Sequence, residues 1–198
     1  MDITAKANTA VIRAIINKGV DHFRQKRIDE LLTKLEQGQI NLDDHKVQSE
    51  AFLSTLINTA DAIQKASGHK KVNILTDLFI SGVKSNKVET KTDEIHELLT
   101  TISTLSEREL LVLATCGETL KYSHARLDTN LVASSSQELY DKLSVLLNVS
   151  FEESFSLVSG IQRTGFIVPK NQPHEFPLYM LSQKYQQLVT YIHLRNRL

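Results

Sequence analysis

The 198-residue chain has one cysteine, no tryptophan, three prolines and seven glycines, and its 23 Lys plus Arg balance 23 Asp plus Glu. Each scarcity excludes something. A lone Cys116 cannot form an internal disulfide, which fits a reducing cytoplasm, and without a cysteine pair a structural zinc site is not expected. A net charge of zero argues against a strongly basic nucleic-acid coat and against a polyanionic tail. No window approaches the roughly 18 apolar residues of a membrane-spanning helix. The start, Met1-Asp2-Ile3-Thr4-Ala5-Lys6, lacks the basic and apolar segments of a secretory signal, so the expected localisation is cytoplasmic. What remains, 41% hydrophobic and 23% charged, is an ordinary globular composition. A chain of this length buries about 70% of its unfolded surface and needs no metal or disulfide to fold.

The aromatics are unevenly placed. Residues 1–104 hold Phe23, Phe52 and Phe79; the other nine lie in 105–198, as do Pro169, Pro173 and Pro177. This shift suggests a boundary near Leu105–Ser106, giving a helical bundle over 1–104 and a second domain over 105–198. No Gly/Ser/Pro linker marks it, so the two are expected to pack together. No internal repeat or low-complexity tract is present.

The first half reads as helices. Ile12, Ile15, Ile16, Val20, Phe23, Ile28, Leu31, Leu32 and Leu35 keep helical spacing from about Thr4 to Gln37, with Gly38 as the expected stop. Val11, Ile12, Ile15, Ile16, Val20 and Phe23 also share a face near Lys18, Arg24, Lys26 and Arg27. Such a stripe is more often core than an interfacial membrane anchor. Asn41-Leu42-Asp43-Asp44 supplies caps for a second helix carrying Phe52, Leu53, Leu56, Ile57, Ala60 and Ile63, ended by Ser67-Gly68. A third carries Val72, Leu75, Leu78, Phe79 and Val83. A fourth starts at Thr92-Asp93, with Ile95, Leu98, Leu99 and Ile102 inward.

In the second half, Ser106 and Glu109 form a capping box for a helix through Leu110, Leu111, Leu113 and Ala114. Another helix runs from Ser134-Ser135-Ser136 through Leu139, Leu143, Leu146 and Leu147. Ser150 and Glu153 form a second box, opening a helix with Phe155, Val158 and Ile161 that Gly165 terminates. Phe166-Ile167-Val168 and Pro177 to Leu181 read as two strands around a proline-rich loop, and Ser182 caps a last helix containing Tyr185, Leu188, Val189 and Ile192.

This order, carried by Leu147-Asn148-Val149-Ser150, Phe155, Val158, Ile161, Gly165-Phe166-Ile167 and Tyr179-Met180-Leu181-Ser182, resembles the winged helix-turn-helix superfamily over the C-terminal half. The resemblance implies a mainly α protein, a helical bundle packed on a winged-helix-like domain with a two-stranded hairpin. It implies either a DNA-binding regulator or a protein-interaction module. Gln25-Lys26-Arg27-Ile28-Asp29-Glu30-Leu31-Leu32 resembles a segment of small uncharacterised bacterial helical proteins, and brings no activity with it.

If the winged surface binds DNA, the residues offered are Gln162, Arg163 and Lys170. Against this, Glu152 and Glu153 open the helix whose start usually faces base edges, and nine basic residues meet nine acidic ones over 105–198. The carboxylates also suit a helix N-terminus in their own right. In the first half, Arg13, Lys18, Arg24, Lys26, Arg27 and Lys34 interleave with Asp21, Asp29, Glu30 and Glu36, as on a solvated, salt-bridged helix.

Chemical sites are sparse. His22, His45, His69, His96, His124, His174 and His193 show no helical ligand pairing. Glu89, Asp93 and His96 share a face only if their helix starts early, with Asp93 otherwise a cap. Ser123, His124 and Asp128 have triad residue types without an oxyanion motif, and Cys116 sits in an apolar run that suits a core residue. Ser67-Gly68-His69-Lys70-Lys71 brings glycine and cations to a helix junction. His69, Lys70 and Lys71 are candidates for an anion, although Lys70 and Lys71 also suit the negative end of the preceding helix. The sequence therefore points to a non-enzymatic regulatory or protein-interaction protein without cofactor or metal. It would act through helix faces, binding a protein partner or self-associating through the long first helix. DNA-binding regulation is the alternative, and an enzyme without a readable motif a second one.

Overall fold

A computed structural model describes residues 22–40, 45–66, 68–123, 128–171 and 174–198, and shows a mainly helical protein with a small two-stranded antiparallel hairpin near the C-terminus. The chain divides into two compact units between Thr104 and Leu105. Among the described residues no helix is long and apolar enough to cross a membrane.

In the first unit, α1 (His22–Lys34) buries Ile28, Leu31 and Leu32 completely. Gly38 does not stop it by a left-handed turn: the helix widens into a π turn over Leu35–Gln39, and Ile40 leaves in extended conformation at φ −129°. The stretch from Thr4 to Asp21, including Val11, Ile12, Ile15, Ile16 and Val20, lies outside the described residues, as do Asn41 to Asp44. The cap of α2 (Glu50–Gln64) is Ser49, whose hydroxyl accepts the Phe52 N–H at 3.0 Å. A serine oxygen there satisfies one of the helix's unpaired N–H groups, as the expected Asn41–Asp44 caps would have done further upstream. Phe52, Leu56, Ala60 and Ile63 of α2 are buried, while Ile57 points to solvent at 44% exposure.

Helix α3 (His69–Lys84) packs on α2, with the Phe79 and Phe52 rings tilted at 58° and their centroids 5.5 Å apart, and its C-cap is Ser85. Asn86 then takes φ 57°, a left-handed conformation that asparagine tolerates well. The turn it makes leads into the short α4 (Lys87–Thr90), an element the periodicity does not separate from its neighbours. Helix α5 (Thr92–Thr104) closes the unit with Ile95, Leu98, Leu99 and Ile102 inward. Helices α2, α3 and α5 all pack on one another, and α1 packs on α2.

Cations of α1 that read as a solvated surface have structural partners. Arg27 donates to the carbonyls of Gln64 and Ala66 at the end of α2, where helix carbonyls lack internal donors. Lys34 reaches Asn73 at 3.1 Å and Asp77 at 3.6 Å on α3.

The second unit opens with α6 (Glu107–Thr119), whose reciprocal Ser106–Glu109 capping box is formed. Helix α7 (Thr129–Leu147) starts earlier than its serine run suggests, because Asp128 caps it through the Asn130 N–H. Ser135 and Ser136 are thus mid-helix and buried. Asn148, at φ 52°, ends α7, and α8 (Phe151–Gln162) begins at once under a Ser150 cap. Glu153 gives its N–H to Ser150, while its carboxylate reaches Arg108 at 3.3 Å. Gly165 turns the chain at φ 75°, a region open to glycine without steric cost.

Strands β1 (Ile167–Pro169) and β2 (Tyr179–Leu181) pair antiparallel with Ile167 opposite Leu181. The chain after α6 runs beside β2, with Ser123 donating to the Leu181 carbonyl at 2.8 Å and Leu181 to that of Lys121 at 2.7 Å. Ser182 caps α9 (Gln183–Val189), and a short 3₁₀ turn follows at Leu194–Arg197. Ile192 lies beyond α9 rather than within it. Leu110, Leu113, Val132, Leu139, Tyr140, Val158, Ile161, Phe166 and Leu188 form the core, all fully buried. Each such side chain contributes about 1.5–3 kcal/mol relative to exposure.

Candidate functional site

Two clefts open on the second unit. The first grows from the sequence at the start of α8. The Ser150 cap sets Phe151 in the first turn, and Phe155 follows one turn later on the same face. Their rings meet edge to face, with centroids 5.0 Å apart. Tyr140 of α7 supports both from beneath, 5.6 Å from Phe151 and 4.5 Å from Phe155. Its hydroxyl donates to the Pro177 carbonyl, which ties the β1–β2 loop to α7 and carries Phe176 over the other rings. Burial, with smaller contributions from Tyr179 and Cys116, pushes the Tyr140 phenol well above its ordinary range. It stays a neutral donor.

The resulting cleft, about 470 Å³, is lined by Gln137, Phe151, Glu152, Phe155, Glu175 and Phe176. The three phenylalanines are half-buried, whereas Glu152 and Glu175 are exposed. Neither carboxylate makes an ion pair among the described residues, and none of the lining residues is a cation. The His174 ring lies 4.3 Å from that of Phe176.

The second cleft, about 510 Å³, is lined by Thr115 and Glu118 of α6, by Asp141, Lys142, Val145 and Leu146 of α7, and by Arg195. Arg195 is held by Glu118 at 3.1 Å, and Asp141 accepts from the Gln137 amide at 3.1 Å. Val145 is 85% exposed and Leu146 44%. Leu146 therefore departs from the inward position that periodicity assigns to it: α7 turns its Leu139–Leu143 stripe inward and leaves Leu146 outside.

Of the residues singled out for DNA, Gln162 and Arg163 end α8 and Lys170 follows β1. Arg163 caps α8, pairs with Glu109 at 2.6 Å and donates to the Gly160 carbonyl. Lys170 follows β1, its backbone N–H bound to the Leu178 carbonyl, and Gln162 is exposed at the far end of α8 from Glu152. Burial acts to raise the Glu109 pKa. Hydrogen bonds from the Ser106 backbone and the Arg163 side chain outweigh it and hold this carboxyl below its ordinary range.

At the α2–α3 junction, Ser67 lies outside the described residues. His69, Lys70 and Lys71 stand in the first turn of α3, at its positive end. His69 Nδ1 lies 3.2 Å from Glu30, so a carboxylate of this chain already stands beside it; Lys71 is buried and Lys70 exposed.

The remaining chemical candidates separate. Glu89 accepts from the Ser49 hydroxyl at 2.5 Å, and His96 Nε2 lies 2.9 Å from the Thr55 hydroxyl. Asp93 is exposed in the first turn of α5. Asp128 serves as a helix cap and the Ser123 backbone binds β2, while His124 lies outside the described residues. No group of three or more His, Cys, Asp or Glu that could hold a metal occurs among the described residues. Cys116 is fully buried, and burial pushes its thiol up to about 12, far from the thiolate a nucleophile needs.

Sequence reasoning missed both clefts. A signal existed for the first: Phe151 and Phe155 at i, i+4 in an aromatic-rich half. Nothing local indicated that Phe176 would fold back onto them, or that Val145 and Leu146 would face outward. In comparisons with known proteins, no family model, no curated protein and no solved structure matches the chain.

Proposed function

We propose that the chain is a non-enzymatic regulatory protein that works by binding other polypeptides through its C-terminal unit. The observation that carries this reading is the side of α7 at the second cleft. There the exposed side chains of Val145 and Leu146 sit among Glu118, Asp141, Lys142 and Arg195. Apolar side chains exposed at a cleft and rimmed by charges of both signs have the make-up of an interaction surface. The described part of α1 contributes Ile28, Leu31 and Leu32 to its own unit, so it does not support self-association through that helix.

The test pairs a size measurement with crosslinking and identification of partners, for the wild type and Val145→Asp. Loss of the same defined complex or dimer in Val145→Asp, with thermal stability kept, is the expected result. A monomer in which both proteins crosslink to nothing specific overturns the reading.

The order helix, helix, helix, hairpin supports a second reading, a winged-helix DNA-binding regulator using Gln162, Arg163 and Lys170. The Glu109–Arg163 pair and the carboxylates at the start of α8 weigh against it. Salt-sensitive retention on duplex DNA, lost when these three residues become alanine, would favour it over the first.

A further inference from the structure

We propose that the aromatic cleft at the start of α8 receives arginine side chains from a basic segment of a protein partner. The inference rests on the interaction reading above and names the chemistry of one partner. Its floor and its rim call for one kind of occupant. Phe151, Phe155 and Phe176 present half-buried rings, able to take an apolar stem and a flat cation against their faces. Glu152 and Glu175 stand at the edge with Gln137, an all-acceptor pair of carboxylates beside one amide. Guanidinium meets both demands: it stacks on aromatic faces and binds carboxylate through a planar fork of donors. An ammonium offers charge without the stack.

The position of Glu152 alone is explained by the positive end of α8. That of Glu175 is not, because it lies in the β1–β2 loop and belongs to no helix. Glu153, the third carboxylate nearby, is already turned to Arg108. The two carboxylates left at the cleft thus come from separate elements and converge on one apolar floor whose lining holds no cation. The same charge repels a phosphate backbone, so the chemistry selects a basic polypeptide over a nucleic acid.

The experiment uses the full chain and fluorescence anisotropy with a short labelled peptide of alternating Gly and Arg, a matched Gly–citrulline peptide and a Gly–Lys peptide. Binding of the arginine peptide, about tenfold weaker for the lysine peptide and lost for the citrulline one, is expected. The double variant Glu152→Gln/Glu175→Gln should weaken arginine binding by about tenfold or more, while Asp93→Asn, at an exposed carboxylate of the first unit, leaves it unchanged. Phe176→Leu should weaken it too while keeping an apolar floor. Unaltered circular dichroism and melting temperature check that each variant folds.

Equal binding of arginine and citrulline peptides, full binding by the double glutamine variant, or no binding of the arginine peptide overturns the inference. If a protein complex sensitive to Val145→Asp forms while the arginine peptide does not bind, the interaction reading stands and the arginine site fails. Competition by duplex DNA for this cleft would also defeat the inference.

Discussion

The phenol of Tyr185, on α9, lies directly over Gly117 of α6, so closely that a methyl group at Gly117 would overlap the hydroxyl oxygen and stand 3.1 Å from Cε1. Glycine in a helix interior normally lowers stability relative to alanine, through backbone entropy. Here it admits a ring, and α6 and α9 approach through it. Tyr185 is itself 5% exposed, which leaves it little room to swing away.

Gly117→Ala should therefore destabilise the second unit despite its better helix propensity. Overpacking of this kind costs about 1–3 kcal/mol. Urea denaturation measures it. Tyr185→Phe added to Gly117→Ala should recover part of the loss by removing the oxygen, and a Gly117→Ala protein as stable as the wild type would contradict the packing described.

Cys116 gives stability a particular alkaline limit. Its folded-state pKa, raised by burial to about 12, exceeds the ordinary thiol value of about 8.5, so the folded chain holds the proton more tightly than the unfolded one. The associated stability is intact below about pH 8.5 and declines as pH rises toward the folded value. Tyr140 and Tyr185, whose phenols burial also raises, add their own losses from about pH 10. Denaturation midpoints between about pH 8.5 and 10 should fall in the wild type and fall less in Cys116→Ala. Equal slopes would show that the thiol is not shielded.

Glu109 behaves in the opposite sense. Burial pushes its pKa up, but bonds from Ser106 and Arg163 bring it below the ordinary carboxylate value. Its contribution is present above about pH 4.3 and disappears as pH falls through the depressed folded value. Ser106→Ala, which removes the reciprocal cap, should cost about 1 kcal/mol. Glu109→Gln, which keeps a capping amide and loses the Arg163 ion pair, should cost about 0.2–1 kcal/mol at neutral pH. It should also make unfolding below about pH 4.3 less steep in pH.

Ser136 holds β2 to α7 by accepting the Tyr179 N–H at 3.2 Å in a buried setting. Ser136→Ala leaves that amide without its acceptor, at a cost of about 1–3 kcal/mol. Hydrogen exchange should show the Tyr179 amide losing protection, with α2 and α3 of the first unit unaffected. Retained protection at Tyr179 would mean the bond is dispensable.

Much of the fold was legible in the sequence because it rests on local rules. Ser106–Glu109, Ser150 and Ser182 mark helix starts where their hydroxyls do satisfy backbone N–H groups, and Gly165 marks the turn into the hairpin. Errors came where two local solutions compete. Ser134-Ser135-Ser136 looks like a cap, but Asp128 lies upstream of a continuous apolar stripe and the longer helix buries more of it. Asn86 and the π turn at Leu35–Gln39 break periodic segments for reasons of backbone geometry that residue spacing does not encode.

The sequence by itself determined the helical content, the placement of most element ends, the buried thiol and the lack of an obvious chemical motif. Those follow from periodicity, caps and composition, which act over a few residues. Only the tertiary structure decided which charges have partners and which surfaces stay open. Arg163 meets Glu109 across 54 residues of chain, and Phe176 joins Phe151 and Phe155 because Tyr140 binds the Pro177 carbonyl 37 residues away. Such contacts depend on how helices cross in space, and a cleft exists only where that crossing leaves a gap.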